Sequence, residues 1–165
     1  MFIKINNSIK SCLTITENYS EYEKDDLISI LSDVCEQIDD LKLAFFVIQF
    51  SPSDNSFDHK VDFGYDFTSI ANELQDLKIF LKESNGEFIL NFYELNKSVV
   101  FTFIENKIRI KIIKSDDLIE LNEVIVLHKD LQERINNILL SFTMILEKYF
   151  PIAYKKFKTQ KYVIE

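Results

Sequence analysis

Glycine, proline and tryptophan are what this sequence has least of. There are 2 glycines, 2 prolines and no tryptophan in 165 residues. Sites that cradle phosphates or nucleotides lean on glycine for close backbone approach, and this chain has almost none to offer. Scarce glycine and proline also mean short loops built on Asn, Asp and Ser. The 2 cysteines, Cys12 and Cys35, form no C-x-x-C pair and are too few for a disulfide framework. A reduced cytoplasmic setting with both thiols buried is the expectation. The longest apolar run, Leu43 to Phe50, is too short to span a membrane, and Met1 to Lys4 does not open like a secretory signal.

Basic charge is also scarce, and unevenly so. Residues 1–100 carry 8 lysines and no arginine against 18 acids, a net of −10; residues 101–165 carry 11 basic and 9 acidic residues, a net of +2. An acidic front half disfavours nucleic acid, whose phosphates need neutralising by Lys and Arg, and favours a basic partner or plain solubility. What is abundant is phenylalanine, 15 residues, with 7 tyrosines. Most of these rings are expected to fill a core. The chain is long enough for one domain, 1–165, burying roughly 70% of its unfolded surface.

Hydrophobic period divides the chain into elements. Phe2 to Ile5 and Cys12 to Ile15 alternate across Asn6-Asn7-Ser8, a predicted hairpin. Ser20 and Glu23 have capping-box spacing before Leu27, Ile30, Leu31, Val34, Ile38 and Leu41, which share one helical face. Leu43 to Phe50 reads as a buried central strand. Ser51 to Asp66 is the one long polar interruption, with a short strand near Val61 as the alternative. Asp66 or Thr68 is positioned to cap a helix carrying Phe67, Ile70, Leu74, Leu77 and Leu81. Gly86 suits its left-handed end.

Glu87 to Lys114 then reads as a three-strand meander. With Asn106-Lys107 as a two-residue loop, Phe103 faces Ile110 and Phe101 faces Ile112. With Leu95 to Ser98 as a four-residue loop, Phe92 faces Phe101. Phe88, Leu90, Phe92, Val99, Phe101, Phe103, Ile110 and Ile112 share one face, which must be covered. The other carries Asn91, Thr102, Arg109 and Lys111 among Ile89, Tyr93, Val100, Ile104 and Ile113, open to water or a partner. Val124 to Leu127 adds a strand, and a long helix from Asp130 stops at Pro151 before a basic tail, 155–165. The expected fold is α+β: an antiparallel or mixed central sheet of about five to seven strands with three main helices packed on it.

Motifs for chemistry are missing. His59 and His128 have no metal-ligand spacing, and no nucleophile elbow, zincin or P-loop pattern occurs. No catalytic residue, cofactor or metal is assigned, and a purely spatial active site near either histidine is the enzymatic rival. Recognition remains. Asp54, Asp58, Asp62 and Asp66 recur every four residues with Phe57, Phe63 and Tyr65 between them. Rings supply contact area and acids select a basic partner, so Asp54, Phe57, Asp58, Asp62, Tyr65 and Asp66 form the candidate partner-binding set. A solvated loop with tucked-in aromatics is the plainer reading, and the open meander face is the second candidate.

From Val61 to Pro151 the layout resembles immunity proteins of bacterial polymorphic-toxin and contact-dependent growth inhibition systems. The resembling parts are the helix from Asp66 through Leu74 to Leu81, the Phe88 to Ile113 meander, and Asn122 to Val126 feeding a helix that ends Tyr149-Phe150-Pro151. The resemblance implies a single acidic domain that blocks one cognate toxin domain, often a basic nuclease, by occlusion. It implies no site residues, because such families diverge at the binding surface. A self-associating adaptor of the bacterial cytoplasm, monomer or homodimer, is the alternative.

Overall fold

The computed structural model describes residues 1–6, 15–19, 22, 26–48, 59–61, 63–93, 96–114 and 119–158. The architecture is α+β, but its strands fall into two antiparallel sheets and not one central sheet. In chain order the elements are β1 (Phe2–Ile5), α1 (Leu27–Asp40), β2 (Ala44–Ile48), β3 (His59–Val61), a π-helical turn (Phe63–Phe67) and α2 (Thr68–Glu83). There follow β4 (Glu87–Phe92), β5 (Lys97–Ile104), β6 (Lys107–Lys114), β7 (Ile119–Leu127), α3 (His128–Tyr149) and α4 (Pro151–Lys158). One sheet has the order β1-β2-β3, the other β4-β5-β6-β7.

The N-terminal sheet is assembled across α1. β1 pairs with β2, Phe2 opposite Val47 and Ile5 opposite Ala44; the expected hairpin partner, Cys12 to Ile15, falls almost wholly on residues 7–14, which lie outside the described part. The apolar Leu43–Phe50 run does supply a central strand, with β3 on its far side through Phe46↔Val61. The expected 51–66 loop therefore contains a strand and a π-helical turn at its C-terminal end. α1 starts at Asp26, whose Oδ1 accepts from the Ser29 amide at 3.1 Å. The capping-box residues Ser20 and Glu23 are outside the described residues.

α2 grows out of the π-helical turn without a side-chain cap. Because the backbone is already helical there, Thr68 has no orphan amide to serve and its hydroxyl donates to Gly64 O at 2.9 Å. The stripe Phe67, Ile70, Leu74, Leu77 and Leu81 is buried as its spacing requires. Left-handed backbone falls on Lys42, Ser84, Asn96 and Glu105 (φ 49 to 57) as well as on Gly86 (φ 80), so in a glycine-poor chain ordinary residues end helices and turn hairpins. Ser84, two residues before Gly86, ends α2.

The meander keeps the predicted faces with a shifted register. Phe103 pairs with Ile108, Phe101 with Ile110 and Val99 with Ile112, because the loop is Glu105-Asn106 with Glu105 at φ 57. Across β4 and β5, Leu90 pairs with Val99 and Phe88 with Phe101. Both shifts are even numbers of residues, so every side chain stays on its predicted face. β7 is longer than Val124–Leu127 and extends the sheet through Arg109↔Ile125 and Lys111↔Glu123.

The inner face of the four-stranded sheet, with Leu90, Phe92, Val99, Phe101, Ile108, Ile110 and Ile112, joins the helices in one core. Phe67 sits at the joint between the two halves, its ring 5.2 Å from Phe46, 4.3 Å from Phe63 and 5.1 Å from Phe142. Pro151 ends α3 but also begins α4, a fourth helix where a basic tail was expected. Its Lys155, Lys156 and Lys158 fall in the last turn, where the helix dipole favours cations. The first turn is capped from far away: Glu17 Oε1 accepts from the Ile152 amide at 2.8 Å and Oε2 from Ala153 at 2.9 Å. Cys35 is buried beside the Thr68 hydroxyl, and burial pushes its thiol pKa up to about 12.

Candidate binding face of the four-stranded sheet

Alternation along β4 to β7 sends two sets of side chains to opposite sides. One set is sealed under α2 and α3. No described element packs over the other. Cross-strand rows on this outer side read Glu87–Thr102–Arg109–Ile125, Ile89–Val100–Lys111–Glu123 and Asn91–Ser98–Ile113–Glu120. Ile104, Lys107 and Leu127 close the end of the face near the β5–β6 turn.

The apolar content is high for a face toward water. Ile89, Ile125 and Leu127 are 46–50% exposed and Tyr93, beyond β4, is 71% exposed. Val100, Ile104 and Ile113 are half-buried between them. Isolated exposed hydrophobics are ordinary; here two pairs, Ile89 with Tyr93 and Ile125 with Leu127, stand at opposite edges of one rigid face, an apolar share that suits a contact surface. Four strands about 4.8 Å apart and about seven residues long present roughly 450 Å², over half of the ~800 Å² that a standard interface takes from one partner.

The charges on this face are organised. Lys111 Nζ lies 2.7 Å from Glu120 and 3.3 Å from Glu123, and these carboxylates raise its pKa. Glu123 is also 3.7 Å from Arg109 Nε, beyond a hydrogen bond, and that nitrogen is buried without an acceptor. The Thr102 hydroxyl donates to Glu87 at 3.3 Å, and Ser98 to Asn91 Oδ1 at 2.8 Å. At the β4 edge the Asn91 amide donates to Glu73 of α2 at 3.4 Å. Burial raises the Glu73 pKa against that hydrogen bond.

Of the acid-and-aromatic set, Asp54, Phe57, Asp58 and Asp62 lie outside the described residues. Tyr65 and Asp66 belong to the π-helical turn by their backbone. Phe63, interleaved with them in sequence, is a core residue and 1% exposed. The second candidate, the meander face with Asn91, Tyr93, Thr102 and Lys111, is assembled as expected. Sequence reasoning missed the β7 contribution, Glu120, Glu123, Ile125 and Leu127. The available signal was that β7 is apolar in both phases around Val124 to Leu127, as a strand contacted on both faces would be.

His128 is occupied structurally: Nε2 lies 2.7 Å from Leu81 O, and the ring meets Phe103 edge-on at 5.2 Å. A cleft of about 140 Å³ between α2 and α3 is lined by Lys78, Leu81, Lys82, Gln132, Ile135 and Asn136, with neither a histidine nor a carboxylate. Among the described residues, no group of three or more His, Cys, Asp or Glu side chains is placed to hold a metal, and no helix is long and apolar enough to cross a membrane.

No family model, curated protein or solved structure matches this chain.

Proposed function

We propose that this protein is an inhibitor of the immunity type, which binds one cognate bacterial toxin domain and occludes it through the outer face of the four-stranded sheet. The observation that carries the reading is that face, over which no described element packs, with Ile89, Tyr93, Ile125 and Leu127 exposed on a hydrogen-bonded scaffold. A sheet holds its side chains in fixed register, so little ordering is needed on association. The net charge of −8 supports a basic target such as a nuclease, because attraction summed over the molecule speeds encounter even where the contact patch is neutral. Occlusion requires no catalytic group on the inhibitor. The cytoplasm, where an immunity protein would meet its toxin, is the compartment that this reading assigns.

The test is co-purification from the native organism followed by a protection assay. A stoichiometric toxin domain whose toxicity is suppressed by this chain supports the reading. Ile125→Asp together with Tyr93→Ser should abolish protection while the circular dichroism spectrum and urea midpoint stay near those of the parent. Full protection by that folded double variant would remove the face from the mechanism. Recovery with no toxic partner would remove the function.

One observation favours a second reading, self-association as an adaptor. The formal charges of Lys107, Arg109 and Lys111 on this face balance those of Glu87, Glu120 and Glu123, so two copies can approach without repulsion. Light scattering across micromolar concentrations separates the two: a dimer lost in Ile125→Asp supports the adaptor.

A further inference from the structure

We infer that the segment seated on this face carries a carboxylate, which docks on Arg109 beside Lys107, with aliphatic side chains on both sides of it. This rests on the reading of the face as a protein-binding surface and adds the chemistry of what binds there. Polar groups on this face are unevenly matched. Each of the three acids already has a donor: Glu120 and Glu123 hold Lys111, and Glu87 takes the Thr102 hydroxyl. The cations are less well served. Lys107 has no ionic partner among the described residues. Arg109 Nε is out of reach of water and has no acceptor, since Glu123 lies 3.3 Å from Lys111 but 3.7 Å from this nitrogen.

That nitrogen is closed to an incoming acceptor as it is to water, so what a ligand can reach is the outer edge of the guanidinium together with the Lys107 ammonium. Guanidinium suits a carboxylate because its planar fork offers two parallel N–H groups to two oxygens. The Arg109 side chain is 40% exposed, so its outer edge is open to such an approach. Neighbouring positions define the rest. Thr102 and Ile125 flank Arg109 across the strands, and Ile104 and Leu127 flank Lys107. The carboxylate therefore settles with Ile104, Ile125 and Leu127 about it and Thr102 on the β5 side. An extended segment places residues two apart on one side at about 6.7 Å, so the fitting pattern is aliphatic, any, acidic, any, aliphatic. A basic toxin domain is compatible with this, since steering depends on total charge and docking on the local side chain.

The probes are two end-blocked pentapeptides, valine-serine-glutamate-serine-valine and its counterpart with lysine at the centre. Amide chemical shifts are followed by two-dimensional NMR during titration into the full chain. The expected result is saturable shifts of β5, β6 and β7 amides with the glutamate peptide only. Arg109→Gln should weaken them about tenfold or more and Lys107→Gln less, with binding falling as salt is raised. Equal binding of the two peptides, unchanged binding by a folded Arg109→Gln, or no saturable shift up to about 10 mM would overturn the inference. Those outcomes leave the toxin-blocking reading standing on its protection assay, and a failed protection assay leaves the peptide result intact.

Discussion

The two sheets of this molecule are built from similar residues by different routes. In the four-stranded sheet every strand pairs with the next in sequence, and the described turn, Glu105-Asn106, is two residues long. In the three-stranded sheet, β1 finds β2 only after the chain has passed through α1. Closing the first kind of contact costs little chain entropy, while the second must be supported by burial elsewhere. Phe46, Phe63, Phe67 and Phe142 provide that burial, an aromatic cluster linking β2, the π-helical turn and α3. One sheet is held mainly by its own ladder and the other by its place in the core.

Phe67→Ala should break this comparison most severely. Removing a ring that is fully buried between the two halves is expected to cost about 3–5 kcal/mol. Hydrogen exchange read residue by residue should show β1 and β2 amides losing protection before those of β5 and β6. Simultaneous loss in both sheets would mean they form one cooperative unit.

Glu17→Ala comes next. It removes both acceptors from the first turn of α4, and about 1 kcal/mol should be lost in urea denaturation. The change should loosen α4 and leave the four-stranded sheet as it was. Within the locally built sheet the opposite sign is available. Glu105 occupies left-handed backbone at φ 57, so Glu105→Gly should stabilise by roughly 0.5–1 kcal/mol, read as a raised urea midpoint.

The smallest effect concerns pH. Burial raises the Glu73 pKa, so the folded state holds its proton to higher pH than the unfolded chain does. Its contribution to stability therefore falls as pH climbs through the ordinary carboxylate range and past the raised value. The stability difference between Glu73→Gln and the parent should move in favour of the variant between about pH 3 and about pH 7. A difference independent of pH would show that the hydrogen bond from Asn91 cancels desolvation, and one moving the other way that it outweighs it.

Legibility followed the same division. Both faces of the meander could be assigned from alternation because side-chain period is a local property of a strand. Its register could not, since neither turn carried a glycine to mark it and Glu105 took the left-handed position instead. The helical stripes of α1 and α2 were readable from spacing except for Leu41, which lies past the end of α1 and is exposed, and the start of α2 was not, because a π-helical turn removes the need for a cap. Of the candidate binding residues, those on the meander face emerged from the strand pattern. Glu120, Glu123, Ile125 and Leu127 joined them only once β7 was seen beside β6.

By itself the sequence determined the α+β class, the acidic balance, the buried stripes and the two-sided character of the β4–β6 strands, all set by composition or by repeats within a few residues. Tertiary structure alone decided that β1 pairs with β2, that Glu17 caps α4, that the strands divide into two sheets, and that Arg109 Nε lies buried beyond hydrogen-bond reach of Glu123. Each of these depends on residues brought together from distant parts of the chain or from separate strands. Local pattern carries no record of such meetings, because their free energy comes from a core that exists only when the whole chain has closed around it.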